Sequence, residues 1–267
     1  MFDARDTLAW KVSFTVLALL MLASALAGFL DAAVGGGGLI TVPALLLGLP
    51  AGTPITTLLG TNKAVACTGT TVAAFKFARS GVLPWREMLL PVVFAAVGSL
   101  LGSRLTYSVH PDFLRPAVVV MLLAVFVFTL ARPDLGSLHA PRFGLVHQRG
   151  LAACISFVVG AYDGFFGPGT GTFMIYLFVA VLGFDFLRSS ALAKAANWAS
   201  NAAALVFFLA HGSWLWKVAL PMAAANGVGG YLGAKVALER GSRWVRLLFI
   251  GVVSALILRL GWQLFRG

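Results

Sequence analysis

The sequence predicts an all-α polytopic membrane protein: two homologous repeats forming a helical bundle of about eight transmembrane spans, with Gly-broken or re-entrant segments. Three observations predict it: a composition too apolar for water, uncharged runs that recur along the chain, and a second half that restates the first. Hydrophobic residues make up 60% of the 267 and charged residues 11%, with a mean hydropathy of +0.93. An ordinary soluble domain carries roughly 25% charged residues.

The uncharged runs, taken in order, are Val12 to Leu30, Ala32 to Asn62, Met88 to Ser103, Pro116 to Ala131, Gly164 to Phe184, Ala195 to Trp216 and Val218 to Ala234. About 20 residues of helix cross a hydrocarbon core, and continuous apolarity, rather than alternation, excludes a barrel. Little polar sequence separates the runs, so no soluble domain is expected. Within the second run, "LITVPALLLGLP" (Leu39 to Pro50) is too short to span and is bounded by glycines and a proline. That pattern fits a re-entrant or partly unwound helix. Whether it counts as a span decides whether the two halves run parallel or inverted.

Several function classes drop out. The net charge of +11 would point to nucleic acid in a soluble protein, but here Lys and Arg cluster at the ends of apolar runs. That is the pattern of snorkelling and membrane orientation. The first run ends in "ASALAG", yet Asp3 and Asp6 beside Arg5 and Lys11 make a poor signal-peptide start, so retention is expected. Cys67 and Cys154 sit inside hydrophobic segments and are expected to be small buried residues. His110, His139, His147 and His211 lie at loops or segment ends without metal-ligand spacing. With no nucleophile, base and orienter set and no H-E-x-x-H, no enzymatic site is expected, and no cofactor.

The repeat is read from register. "GFLDAAVG" from Gly28 returns as "GAYDGFFG" from Gly160, setting Asp31 opposite Asp163 and Gly35 opposite Gly167, 132 positions apart. The offset then becomes 131 and pairs Lys63 with Lys194, Gly81 with Gly212, Trp85 with Trp216, Gly98 with Gly229, Gly102 with Gly233, Arg104 with Lys235, and Arg115 with Arg246. Several unlike motifs in one register imply duplication. The expected organisation is a first repeat over residues 8 to 131, a polar linker over 132 to 149, and a second repeat over 150 to 265. Arg132, Arg142 and Arg149 favour a cytoplasmic linker.

Ionisable groups inside apolar runs carry the functional expectation, because a charge at bilayer depth persists only with a partner or a cavity. Asp31, Asp163, Lys63 and Lys194 stand out, each with its repeat mate. In "ALAKAANWASN" the residues Lys194, Asn197 and Asn201 fall on one helical stripe; in "TNKAVACTGT" Lys63 and Thr70 do the same, with Asn62 beside them. An ammonium with amide and hydroxyl donors suits a small oxyanion. The breaks at Gly35 to Gly38, including Gly36 and Gly37, and at "GPGTG" with Gly169 and Thr170, would add helix N-termini and close backbone approach. The competing reading of such glycines is helix packing, and "GSLLG" from Gly98 and "GGYLG" from Gly229 are assigned to it. For Asp31 and Asp163 the structural role, capping a broken helix or neutralising a lysine, is set ahead of a proton-coupling role.

These residues, "GFLDAAVGGGGLITVPALL" with "TNK", and "GAYDGFFGPGTGTF" with "AKAANWASN", resemble the TauE/SafE family of sulfite exporter-like membrane proteins over nearly the whole chain. The resemblance implies a duplicated bundle in the plasma (inner) membrane that moves small sulfur-containing anions such as sulfite, sulfonates or sulfoacetate. The expectation is a secondary transporter whose site, between the repeats, uses Asn62, Lys63, Lys194, Asn197, Asn201, Gly36, Gly37, Gly169 and Thr170, with Asp31 and Asp163 coupling or structural. Repeat one has Ala66 and Thr70 where repeat two has Asn197 and Asn201, so the halves contribute unequally. The alternatives are a passive anion channel and a non-transporting membrane scaffold. Expected partners are a small anion and the lipid bilayer, with a homodimer left open and nucleic acid excluded.

Overall fold

The computed structural model describes residues 12–82, 85–109 and 142–240, together with residues 113, 116, 120, 124 and 127. Most of the Pro116 to Ala131 run, linker residues 132 to 141 with Arg132, the Arg115 and Arg246 pair, His110, His139, and the last part of the second repeat lie outside the described residues. All regular structure among the described residues is helical. The helices are α1 (Phe14–Val34), α2 (Gly38–Gly48), α3 (Ile55–Arg79), α4 (Trp85–Ser108), α5 (Leu145–Phe165), α6 (Thr170–Leu177), α7 (Phe186–Ala210) and α8 (Trp216–Arg240); α6 continues into a wider π turn over Phe178–Leu182. Two stretches, Phe14–Ala33 and Arg86–Ser108, are individually long and apolar enough to cross a membrane.

Local chemistry sets several helix ends. Ser13 caps α1 by accepting from the Val16 N–H, and Asp185 caps α7 by accepting from the Arg188 N–H at 2.8 Å. α1 stops at Gly35, whose φ of 82° and ψ of 174° belong to a region that is essentially glycine's alone. α6 starts after Gly169, at φ 82°. After its stop, α1 hands over to α2, which turns back along it: Gly37 lies against Asp31 and Gly48 against Leu20.

Neighbouring contacts give each helix a direction. Ala25 and Phe29 of α1 face Gly229 and Gly233 of α8 in rising order, so these two helices run the same way. Phe157 and Ala161 of α5 face Gly98 and Gly102 of α4 in the same sense. The two contacts exchange under the register of the sequence: Ala25 and Phe29 stand 132 positions before Phe157 and Ala161, and Gly98 and Gly102 stand 131 before Gly229 and Gly233. Along α3, Gly60, Lys63 and Thr71 face Ser213, Asn201 and Trp198, in falling order. α3 and α7 are therefore antiparallel, although they occupy corresponding places in the two halves.

A Cβ at Gly102 would overlap the Ala161 carbonyl, and one at Gly233 the Phe29 carbonyl, so these glycines set how closely the backbones pack. Gly102→Val should cost at least the roughly 1–3 kcal/mol of an overpacked core. The check is the unfolding midpoint of purified protein in detergent, with the exposed Leu101→Val as a control that leaves it unchanged.

The molecule is polar inside and apolar outside. Leu22, Val93, Leu105, Val206, Leu220 and Val228 are exposed, while Lys63, Lys194, Asn62, Asn197 and Asn201 are buried. Hydrocarbon tolerates the first set, and only an internal polar network tolerates the second. One sequence expectation is corrected here: Cys154 is exposed on α5 and Cys67 half-buried, because both fall on outward-turned positions of their helices instead of in the core.

Candidate functional site

The site forms where the two broken stretches meet. Beside the tip between α1 and α2 lies the tip between α5 and α6. A Cβ on Gly35 would collide with the backbone of Gly171 and Thr172, and one on Gly38 would sit 2.9 Å from Pro168 Cα. The α2 and α6 N-termini thus open onto one place, with their positive dipole ends and early N–H groups directed there.

A cavity of about 410 Å³, its mouth included, lies at this junction. Ten of the eleven residues singled out from sequence line it: Asp31, Gly36, Gly37, Asn62, Lys63, Asp163, Gly169, Thr170, Asn197 and Asn201. Lys194 does not line it. Its ammonium stands behind Asp31, donating to the Asp31 main-chain carbonyl and lying 3.5 Å from Asp31 Oδ2.

Each lysine thus pairs with the aspartate of the other half. Lys63 Nζ is 2.8 Å from Asp163 Oδ1, both side chains almost wholly buried. Asp163 is further held by two hydroxyls: Thr170 Oγ1–H donates to Oδ1 at 2.8 Å and Ser200 Oγ–H to Oδ2 at 2.6 Å. Asp31 has less support. Its Oδ1 accepts only the Gly37 N–H, at 3.0 Å, and its side chain retains 16% exposure against 2% for Asp163. The register explains the difference, because Gly38 and Gly69 occupy the places of Thr170 and Ser200.

The amides divide between holding the site and facing it. Asn62 Oδ1 accepts from Thr41 Oγ1, and Asn197 Oδ1 accepts from Asn201 Nδ2 at 3.0 Å. Asn201 Oδ1 in turn accepts from Lys63 Nζ at 3.4 Å. Among the described residues, the amide nitrogens of Asn62 and Asn197 donate to no protein acceptor, and both residues line the cavity. Two NH₂ groups, two helix N-termini and a lysine make a wall rich in donors, fitted to an anion's oxygens.

Sequence reasoning missed three polar contributors. Thr41 lies in the apolar "LITVP" and shows no pattern of its own. Ser200, between Asn197 and Asn201, was within reach of a stripe argument, since it falls three residues after Asn197. Asn226, which lines the cavity and donates to the Ser24 carbonyl at 2.7 Å, was visible as a lone amide in an apolar run. Ser156, Ser189 and Ser190 are buried with no hydrogen-bond partner in the protein. Ser189 and Ser190 stand where the first half has Leu58 and Leu59, so only α7 carries hydroxyls one turn before its lysine. Among the described residues no cluster of three or more His, Cys, Asp or Glu could hold a metal.

The fold and the buried, charge-paired cavity are those of a membrane transport protein, and comparison with known sequences gives the family. The family described as "Sulfite exporter TauE/SafE" matches residues 20–260. The chain is 36% identical to "Probable membrane transporter protein ORF9" of a Sinorhizobium species over 93% of this chain and 94% of that protein. It is also 36% identical to a "Probable membrane transporter protein" of Haemophilus influenzae, over 90% of this chain and 92% of that one. Against "Probable membrane transporter protein YfcA" of Escherichia coli K12 the identity is 33%, over 93% and 90%. No solved structure matches. The chain belongs to the TauE/SafE family, a family of membrane transporters and not of enzymes.

Proposed function

We propose that this protein is a secondary transporter of small sulfur-containing anions of the sulfite, sulfonate or sulfoacetate type, bound in the cavity between two inverted repeats of a multi-pass plasma-membrane bundle. The observation that carries the reading is the cavity itself: unspent Asn62 and Asn197 donors beside Lys63, where two helix N-termini converge. The family's description as sulfite exporters supports the choice of anion class. The antiparallel course of α3 and α7, and the exchange of the α1–α8 contact with the α4–α5 contact, support inverted halves with boundaries near residues 8–131 and 150–265. A site at the pseudo-symmetry axis is what alternating access requires, because either half can close over it.

Counterflow in proteoliposomes tests the proposal. Vesicles preloaded with unlabelled sulfite, sulfoacetate or methanesulfonate should take up the labelled anion transiently above equilibrium. A passive channel gives no such overshoot. Lys194→Met and Asn197→Ala should each lower the initial rate about tenfold or more, since a lost charge-assisted or amide contact costs about 1–3 kcal/mol. Absence of counterflow for every sulfur anion contradicts the proposal.

A further inference from the structure

We infer that Asp31 carries the proton for an electroneutral anion–proton symport, and that Asp163 does not. The inference rests on the transport reading above and concerns how that site keeps its charge balanced.

The ionisable groups on the elements around the cavity are Asp31 of α1, Lys63 of α3, Asp163 of α5 and Lys194 of α7. α2, α6 and α8 present glycines, the hydroxyls of Thr41 and Thr170, and the Asn226 amide. Two ammonium groups and two carboxylates sum to zero. A monoanion entering this buried set would leave one uncompensated negative charge at bilayer depth, which low-dielectric surroundings oppose strongly. One proton taken up with it restores zero. The site then holds two lysine cations, one carboxylate, one carboxylic acid and the anion, with the same net charge as when empty.

The proton must go to a carboxylate, and the surroundings choose which. Asp163 is locked as an acceptor by Lys63 at 2.8 Å and by the hydroxyls of Thr170 and Ser200, so protonating it would break a buried ion pair and at least one hydroxyl bond. Asp31 accepts one backbone N–H, stands 3.5 Å from Lys194, and keeps the greater exposure. Protonation there breaks only the long pair. The Lys194 ammonium, still bound to the Asp31 carbonyl, then supplies the positive charge that the anion neutralises. On release, the proton leaves Asp31 with the anion and the Lys194–Asp31 pair re-forms.

The test uses the full chain in proteoliposomes with ³⁵S-labelled methanesulfonate, an anion whose single charge is fixed across the working pH range. With an alkaline interior, wild type should accumulate it about tenfold per pH unit, and a valinomycin-set potential should leave that ratio unchanged. Asp31→Asn leaves a site of net +1 that needs no proton. This variant should keep counterflow, lose the response to the pH gradient, and follow the membrane potential instead. A trapped pH dye gives a reading that needs no variant: adding methanesulfonate outside wild-type vesicles should acidify the lumen. Accumulation that follows the potential in wild type, an unchanged pH response in Asp31→Asn, or methanesulfonate entry without acidification each overturns the inference while leaving transport intact. Absence of wild-type counterflow instead overturns the reading of methanesulfonate as cargo, and this inference with it.

Discussion

Lys63→Met or Asp163→Asn should destabilise the folded protein by about 3–5 kcal/mol, the cost of leaving one member of a buried ion pair alone. The pair is 2.8 Å apart with both side chains almost fully buried, and the carboxylate's remaining capacity is filled by Thr170 and Ser200. Neither survivor can reach water, so neither can recover its solvation. The double variant Lys63→Met with Asp163→Leu should regain most of the loss, since removing both charges removes the desolvation penalty as well. Unfolding midpoints in detergent report this directly. Asp31→Asn, by contrast, should cost less than half as much, because that carboxylate is partly exposed and its partner is 3.5 Å away. Equal losses at Asp31 and Asp163 would contradict the division of labour drawn between them.

The second large effect is expected at Gly35. Its backbone sits in a region that an alanine enters only at a cost of about 1–3 kcal/mol. The new methyl would also meet the backbone of Gly171 and Thr172 across the junction. That contact is backbone against backbone, so no side chain can rotate away, and the two tips must part. Gly35→Ala should therefore abolish counterflow and lower the unfolding midpoint. Gly81→Ala is the matched comparison: its φ of 71° is also positive, but a Cβ there meets nothing within 4 Å. It should lose stability only by the backbone cost and keep full transport. Equal transport in the two variants would show that the meeting of the tips is not needed for function.

The helical class was legible because apolar runs longer than a bilayer requires leave few other structures. The candidate residues were legible because a charge or amide in such a run is costly enough to need a reason. Their partners were not. Nothing in the linear order says that Lys63 meets Asp163 and Lys194 meets Asp31, each in the opposite half; that follows from the antiparallel course of α3 and α7 and the abutting tips. Nor does spacing reveal that Lys194 stands behind Asp31 while Lys63 faces the cavity. A helical stripe fixes the side of a helix, and tertiary packing decides what covers that side. Thr41 was hidden for the same reason, as a hydroxyl among aliphatic residues whose partner Asn62 is on another helix.

Anion binding to the purified protein tests the central claim most directly. Isothermal titration with sulfite, sulfoacetate and methanesulfonate should show saturable binding of at least one of them at one site per chain. Lys194→Met should weaken that binding about tenfold or more, while exposed Lys76→Met leaves it unchanged. Binding equal in wild type and Lys194→Met, or no binding of any sulfur anion by the folded protein, would contradict the account.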